Sequence, residues 1–317
     1  MTSIKTLLGS VLLALGLGIG LVAGTALAAE PATLRIGYQK SSVSMVLARE
    51  HKLLDQALPG TQVQWVEFPS GPQLIEALNG GSLDIGNIGD IPPIFAQAAG
   101  IDLVYIGVEP ADGRAEAIVV PKASDVRRVA DLKGKRVALV KGSSAHNLFL
   151  KSLIKAGLQL SDVNLAYLSP ADARAAFEQG KLDAWVIWDP YYSAALLDGS
   201  ARLLSDGQGL SFGGSLYVAA GAFARQHPQS IAPLLKAFGQ AQQQSFDQAP
   251  ASIDLMTQAL GLQRAVIERY FEHRSRAPLR AIDPDTLDTQ QRTADLFFAN
   301  GLIPKAINVQ QIVFKAD

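Results

Sequence analysis

The chain has 317 residues, of which 48% are hydrophobic and 18% charged, and its formal net charge is −1. This composition is typical of a globular protein large enough for two domains, and no charge imbalance points to nucleic acid or an anionic membrane. Because the chain contains no cysteine, disulfides, thiolate zinc sites and cysteine nucleophiles are excluded. The four histidines are scattered and no HExxH pattern occurs, so we expect neither a metal site nor a cofactor.

The first 28 residues have the features of an export signal. Lys5 precedes an uncharged run over 6–29 that contains Ala-Leu-Ala at 26–28, a pattern that is cut after its last alanine. The run is also long enough to span a bilayer as an anchor, but its glycines and its small-residue end favour cleavage. With no cysteine to carry a lipid, we predict cleavage after Ala28 and a freely soluble mature protein in an export compartment.

After residue 33, short apolar strands alternate with helices. This alternation predicts an α/β fold with a largely parallel sheet flanked by helices. The last helix of the first set begins at Asp90, which is placed to cap it, and has prolines in its first turn, where missing N–H groups do no harm. The predicted strands are 34–39, 63–68, 83–89 and 103–109, and the predicted helices are 44–54, 72–81 and 90–100.

A second unit of the same kind begins near 115–124 and closes near 215–223, and the chain beyond it is mostly helical. We therefore predict a signal peptide over 1–28, a discontinuous first lobe over 29–117 and 222–317, and a second lobe over 118–221. Within the second unit the predicted strands are 136–140, 164–168 and 182–188, and the predicted helices begin at Ser144 and at Pro170.

The two units echo each other in sequence. The segment "ALNGGSLDIGNIGD" at 77–90 aligns without gaps on "AFEQGKLDAWVIWD" at 176–189, with six of fourteen positions identical. Both read as a helix, a glycine stop, a strand and an Asp-capped helix. Common local sequence preferences could also produce this similarity, but the similarity favours two lobes built in the same way.

Ligands of such sheets bind beyond the carboxyl ends of the strands, beside the N-termini of helices. If the two lobes face each other, four strand ends could share one cleft. They are Gln39–Lys40, Gly89–Asp90, Gly142–Ser144 and Trp188–Asp189.

The stretch "GSSAH" at 142–146 is the strongest candidate binding motif. A helix N-terminus offers unpaired N–H donors and a partial positive charge, so it binds anions readily. Gly142 lets the backbone approach a ligand, and Ser143 and Ser144 add hydroxyl donors. The alternative is that one serine caps the helix while the other faces solvent, and that His146 is a packing or surface histidine.

The stretch "WVIWDPYY" places Trp185 and Trp188 three residues apart on a strand, so they point to opposite faces. We predict that Trp188, at the strand end, lines the cleft, although both could be core residues. Catalytic signatures such as GxSxG, a P-loop or GxGxxG are missing from the sequence. Four acids, Asp84, Asp90, Asp183 and Asp189, lie at strand and helix starts, where capping explains them. The sequence therefore gives no indication of an enzyme.

Over roughly 33–317 the sequence resembles the periplasmic aliphatic-sulfonate-binding proteins of ABC importers, within the taurine/nitrate-binding group. The resemblance rests on "LRIGYQKSSVSMVLA", "WVEFPSGPQLIEALNGGSLDIGNIGDIPPIFAQAAG", "VADLKGKRVALVKGSSAHNL" and "LSPADARAAFEQGKLDAWVIWDPYYSAAL". It implies a two-lobe type II periplasmic-binding fold with two crossover strands, a permease in the inner membrane as partner, and a monomeric receptor without nucleic acid. The positions that it implies as ligand-binding are Gln39, Asp90, Ser143, Ser144, His146 and Trp188.

The leading interpretation is a receptor that binds an organosulfonate and delivers it to the permease, while the choice between taurine and an unsubstituted alkanesulfonate stays open at this point. Taurine binders must place an acid for the ammonium group, and Asp90, Glu116 and Asp189 are all available. Two further readings keep the fold: a binder of nitrate, bicarbonate or a pyrimidine precursor, or an exported enzyme. A binding protein leaves its ligand chemically unchanged, whereas an enzyme does not.

Overall fold

The structure is a computed structural model, and it describes residues 30–210 and 212–315. In these residues ten strands form two five-stranded sheets with helices packed on them, so the predicted α/β class is confirmed. The predicted export signal and its cleavage site after Ala28 lie outside the described residues, and they stay a prediction.

The strands and helices follow the predicted alternation closely along the first two hundred residues. The strands are β1 (Thr33–Tyr38), β2 (Gln62–Glu67), β3 (Ile85–Ile88), β4 (Leu103–Glu109), β5 (Glu116–Pro121), β6 (Arg136–Leu139), β7 (Asn164–Tyr167), β8 (Ala184–Trp188), β9 (Ala201–Asp206) and β10 (Ser215–Ala220). The helices are α1 (Val43–Glu50), α2 (Leu53–Ala57), α3 (Gly71–Asn79), α4 (Pro92–Ala99), α5 (Ser144–Lys155), α6 (Pro170–Glu178), α7 (Tyr191–Leu197), α8 (Gly221–Gln226), α9 (Pro228–Asp247), α10 (Ala249–Leu260), α11 (Arg264–His273) and α12 (Pro284–Ala299).

Both sheets are built on the same plan. The first has the order β2-β1-β3-β10-β4 and the second the order β7-β6-β8-β5-β9. In each sheet the fourth strand of that order runs antiparallel to its neighbours, while the first three pair in parallel. The chain passes between the sheets twice, between β4 and β5 and again between β9 and β10. The molecule therefore has two lobes joined by two crossovers, as the resemblance implied.

The second lobe boundary differs from the sequence-based one. The sequence boundary put 215–220 in the second lobe, yet β10 lies between β3 and β4 in the first sheet. Its side chains are buried on both faces there, since Leu216 and Val218 join one apolar cluster and Tyr217 and Ala219 the other. An apolar strand has the same sequence pattern in either sheet, so its pattern does not reveal which sheet it joins.

One predicted helix is two helices in the structure. The predicted helix over 44–54 ends at Glu50, and Lys52 adopts a left-handed backbone with φ 51° before α2 begins. Polar residues such as Glu50 and His51 occupy this break and the apolar pattern resumes at Leu53, so the sequence is also compatible with one continuous helix. Neither β9 nor α11 was predicted from the sequence as a separate element.

The two similar sequence segments, 77–90 and 176–189, have equivalent structures in the two lobes. Asp84 accepts hydrogen bonds from the backbone N–H of Arg35 (2.7 Å) and from its guanidinium (2.6 Å to Nη2). In the second lobe Asp183 accepts from the backbone N–H and Nε of Arg136 at 2.8 and 3.1 Å. Each pair joins the second strand in the order of its sheet (β1 or β6) to the chain just before the third (β3 or β8). The sequence predicted a capping role for Asp84 and Asp183. In the structure each of them instead binds an arginine, in the same way in both lobes.

Candidate functional site

A cleft with a volume of about 150 Å³ lies between the two lobes, at the carboxyl ends of their parallel strands. Five of the six predicted ligand-binding residues line it, and His146 does not. These five are Gln39, Asp90, Ser143, Ser144 and Trp188. Other lining residues include Ser42, Asn87, Glu109, Glu116, Phe212 and Arg274.

The starts of four helices reach this cleft: Ser42–Val43 of α1, Gly71 of α3, Asp90–Pro92 before α4, and Ser143–Ser144 of α5. Each helix start carries a partial positive charge, and apart from Pro72, Pro92 and Pro93 its first residues have N–H groups without a partner in the helix. Because the four starts come from both lobes, a small anion in the cleft would be surrounded by donors.

The start of α5 has the geometry of an anion site. Gly142 has φ 73°, a conformation that side chains rarely adopt, and Ser143 is the extended N-cap residue. The hydroxyl of Ser143 donates to the Val140 carbonyl (2.7 Å) and makes no cap hydrogen bond. Ser144 donates to Glu116. Neither serine hydroxyl is therefore observed as a helix cap, which was the alternative to anion binding.

Glu116 is a carboxyl group in the cleft with a raised pKa. Burial raises its pKa to about 8, and the neighbouring carboxylate of Asp90 adds to this rise. Its Oε2 atom is shielded from solvent and has no hydrogen-bond partner among the described residues. At neutral pH Glu116 is therefore mostly uncharged, and it adds little repulsion to an anion at α5.

Asp90 links the two lobes and does not cap α4. It is 1% exposed, and its Oδ2 accepts from Asn147 Nδ2 of α5 (2.6 Å) and from the Gly213 N–H (3.3 Å). The first turn of α4 contains Pro92 and Pro93, which have no N–H to offer a cap. Burial raises the pKa of Asp90, although the charge of Lys151 opposes the rise.

Asp189 makes a second contact between the lobes. Its Oδ1 accepts from the Ser193 N–H in the first turn of α7 (2.9 Å), as expected of a capping acid. Its Oδ2 lies 2.7 Å from His273 Nδ1, at the end of α11. The ring of His273 stacks on Tyr192 with centroids 5.1 Å apart. Both carboxylate oxygens of Asp189 therefore already have protein partners.

His146 lies behind the cleft, in the packing of the helix start. It is fully buried, its Nδ1 accepts from the Gly142 N–H (3.3 Å), and its ring meets Phe297 edge-on at 5.4 Å. Burial lowers the pKa of His146 to about 4, so the ring is neutral at pH 7. In this structure His146 supports the turn at Gly142 and has no contact with the cleft.

The two tryptophans occupy different environments. Trp185 is 1% exposed and packs on Phe177 in the second-lobe core, with ring centroids 6.1 Å apart. Trp188 lines the cleft and meets Tyr191 edge-on at 6.5 Å. Trp188 is therefore positioned to offer an apolar wall to a ligand.

Several lining residues were missed by the sequence analysis. Asn87 lies inside β3, where its Oδ1 accepts from Ser42 and its backbone carbonyl accepts from Gln39 Nε2 (3.2 Å). Arg274 follows α11 and enters the cleft from the C-terminal helical region. No strand-to-helix junction marks these positions, and only the folded chain brings them to the cleft.

Across 30–210 and 212–315, no group of three or more histidines and acids is arranged to hold a metal ion. Within the same ranges, no helix combines the length and apolar character needed to cross a membrane.

Two α/β lobes with two crossovers and a polar cleft between them define the class of two-lobe solute-binding proteins. A model of the NMT1-like family matches residues 27–261. The aliphatic sulfonates-binding protein of Escherichia coli (strain K12) is 50% identical over 300 residues, which cover 94% of both chains. This chain belongs to the family of the aliphatic sulfonates-binding proteins, within the NMT1-like family.

Two solved structures agree with this assignment. One is the alkanesulfonate-binding protein SsuA from Xanthomonas axonopodis pv. citri bound to MOPS, with 51% identity and a TM-score of 0.89 over 91% of this chain and 100% of that one. The other is the periplasmic aliphatic sulphonate binding protein SsuA from E. coli, with 51% identity and a TM-score of 0.82 over 90% of this chain and 98% of that one. The two-lobe fold and the resemblance stated from the sequence are thereby confirmed.

Proposed function

We propose that this protein is a periplasmic receptor that captures an aliphatic sulfonate between its lobes and delivers it to the permease of an ABC importer. The observation that carries the proposal is the start of α5 in the cleft, with Ser143 and Ser144 beside the protonated carboxyl of Glu116. The identity of about one half to sulfonate-binding relatives supports it. One of these relatives was solved with MOPS, which is itself a propanesulfonate.

The chemistry of a sulfonate suits this cleft. A sulfonate is ionised at any physiological pH, and its three oxygens accept hydrogen bonds. Helix starts and neutral hydroxyl or amide donors, such as Ser143, Ser144 and Gln39, stabilise such a group. An alkyl tail needs apolar surface, and Trp188 and Phe212 offer it. His146 has a positioning role in this proposal, since it lies outside the cleft lining.

The acids of the cleft favour an unsubstituted alkanesulfonate over taurine. An ammonium group needs an ionised carboxylate with free acceptor capacity. Asp189 has both oxygens engaged, and Glu116 is mostly protonated at neutral pH. Asp90 accepts from Asn147 through Oδ2 and keeps Oδ1 without a partner among the described residues, but burial raises its pKa and so disfavours the charged form that an ammonium group needs. None of the three is a ready partner for an ammonium group.

Several properties belong to the same proposal. Export would remove residues 1–28 and leave Ala29 as the first residue of a soluble receptor without a lipid anchor. We expect a monomer that binds no nucleic acid and needs no cofactor or metal. The ligand would be released unchanged, because a receptor for import binds its cargo and does not transform it.

A thermal-shift screen tests the function. Methane-, butane- and hexanesulfonate should each raise the melting temperature, because a ligand at 100 times its Kd adds about 2.7 kcal/mol of stability. Taurine, nitrate, sulfate and acetate should raise it less at equal concentration. A larger shift with nitrate or taurine than with any alkanesulfonate would overturn the proposed ligand class.

A further inference from the structure

We propose that Arg274 supplies the positive charge that holds the anionic group of the ligand in the cleft. The inference rests on the proposed function, and it names the cation of that site. Arg274 is the C-cap residue of α11 and lies outside every strand-to-helix junction of the two lobes.

Arg274 is a buried cation with spare donors. The residue lines the cleft and is only 8% exposed. Its Nη1 donates to Ser245 Oγ (2.8 Å), whereas its Nη2 has no hydrogen-bond acceptor among the described residues. A guanidinium presents five N–H donors, and leaving some of them buried without an acceptor is costly. An anion in the cleft would satisfy them.

The charge of Arg274 is also without a carboxylate partner, since no ion pair involves it within 30–210 and 212–315. Three acids that line the same cleft have other partners. Glu109 accepts from the hydroxyls of Ser44 and Tyr217, and Asp189 pairs with His273. Asp112 pairs with Arg114 at 2.7 Å. A buried charge without a counter-ion is unfavourable unless a ligand provides one.

Two aromatic rings hold the guanidinium in place. Its central carbon lies 4.6 Å from the ring centre of Phe246 and 5.1 Å from that of Phe271. Such stacking restrains the planar group and leaves its edge free for hydrogen bonds. Arg114, in the first crossover, donates to the carbonyls of Glu272 (3.1 Å) and Arg274 (3.4 Å) and so fixes the local backbone. The cation is therefore organised before any ligand binds.

The position of Arg274 complements that of α5. Arg274 follows α11, which packs on α10 beside the first sheet, whereas Ser143 and Ser144 belong to the second lobe. Both sets line one cleft. A sulfonate held by both would be contacted from the two lobes at once, with charge from one lobe and hydroxyl and helix donors from the other.

The experiment compares Arg274→Met with the matched control Arg276→Met. Arg276 also stacks on Phe246 (5.4 Å), but it is exposed and does not line the cleft. Calorimetric titration should show that Arg274→Met binds methane- and hexanesulfonate at least about tenfold more weakly, because hydrogen bonds to charged groups are the strong ones. The loss should be equal for the two chain lengths. The control should bind within about twofold of the wild type.

The melting temperature of Arg274→Met and the affinity of Arg274→Lys distinguish a ligand-binding arginine from a purely structural one. Methionine preserves the packing on the rings, so the ligand-free melting temperature of Arg274→Met should not fall, whereas a purely structural arginine would lower it. Arg274→Lys keeps the charge and should retain more affinity than Arg274→Met. A folded Arg274→Met with wild-type affinity, or a lysine variant as weak as the methionine one, would overturn the inference.

The failure of the proposed function would look different. Wild-type protein that binds sulfate or nitrate, and no sulfonate, would contradict the proposed ligand class. The same variants titrated with that anion would still decide the role of Arg274. If Arg274→Met lost that binding, the cation would stand as the anion anchor of the cleft.

Discussion

The hydroxyls of Ser143 and Ser144 have different protein acceptors, the Val140 carbonyl and Glu116. Both can rotate toward a sulfonate oxygen. Each hydrogen bond to a charged group contributes roughly 1.5–3 kcal/mol. A Ser143→Ala, Ser144→Ala double variant should therefore bind methanesulfonate at least about tenfold more weakly, since about 1.4 kcal/mol corresponds to a factor of ten. Calorimetric titration measures this.

Trp188→Ala is the contrasting variant for the serine test. It removes an apolar wall, so its loss of affinity should grow from methane- to hexanesulfonate, whereas the serine loss should be independent of chain length. Circular dichroism and the ligand-free melting temperature separate site loss from unfolding. A folded serine double variant with wild-type affinity would falsify the anion role of these hydroxyls.

Glu116 predicts a pH dependence of binding. Burial and the neighbouring Asp90 raise its pKa to about 8, so the anion meets a neutral carboxyl below that pH and a carboxylate above it. If only the protonated form binds, mass action makes the affinity for methanesulfonate about tenfold weaker at pH 9 than at pH 7. Glu116→Gln stays neutral, so its affinity should be constant over this range. Titrations at both pH values test the difference.

The same group affects stability in a defined direction. Because the pKa of Glu116 is higher in the folded chain than its usual value, the folded state holds an extra proton between the two values. Its contribution to stability is present at acidic pH and is lost as the pH rises through about 8. Glu116→Gln should flatten this decline in melting temperature, and the exposed Glu268→Gln should not. Parallel declines in all three proteins would contradict the raised pKa.

At the scale of elements, the sequence predicted most strands and helices of the two sheets because their apolar runs are short and end at glycines, prolines or capping residues. For β4 the predicted and observed bounds agree at both ends. The helix break at Lys52 went unpredicted, because the polar residues Glu50 and His51 before it are equally compatible with one continuous helix.

The candidate site was predictable only in part, because some of its residues are brought together only by tertiary packing. Gln39, Ser143 and Ser144 stand at strand-to-helix junctions, and in parallel sheets these junctions gather at one edge. Arg274 comes from a part of the chain where the sequence shows only helical periodicity, and tertiary packing brings it to the cleft. Asp90 was expected to be a cap. Its actual partner, Asn147, belongs to the other lobe, so the residues around Asp90 in the sequence do not indicate this hydrogen bond.

At the scale of the whole molecule, the two lobes touch on both sides of the cleft. Asp90 bonds Asn147 near the crossovers, and Asp189 meets His273 at the junction of α7 and α11. Hinge motion about the crossovers would break the second contact when the cleft opens. We expect small-angle scattering to show a larger radius of gyration for ligand-free His273→Ala than for ligand-free wild type, and saturating methanesulfonate to bring both to the same compact value.

His51→Ala is the control for this measurement, because His51 is exposed at the end of α1 in the first lobe. It should scatter as the wild type does with and without ligand. Scattering curves of His273→Ala and wild type that coincide without ligand would show that the histidine contact does not hold the lobes together.

The position of β10 has a consequence for the order in which the lobes are completed. All strands of the second sheet lie within 116–206, so that sheet is complete in sequence as soon as this stretch is available. The first sheet needs β10 to join β4 to β3, and this strand follows the whole second lobe. During synthesis or translocation from the N-terminus, the lobe that starts first therefore finishes last. Until β10 is available, the edges of β3 and β4 that it pairs with stay unpaired. Unpaired edges promote aggregation, so a chaperone would help this chain most during that interval.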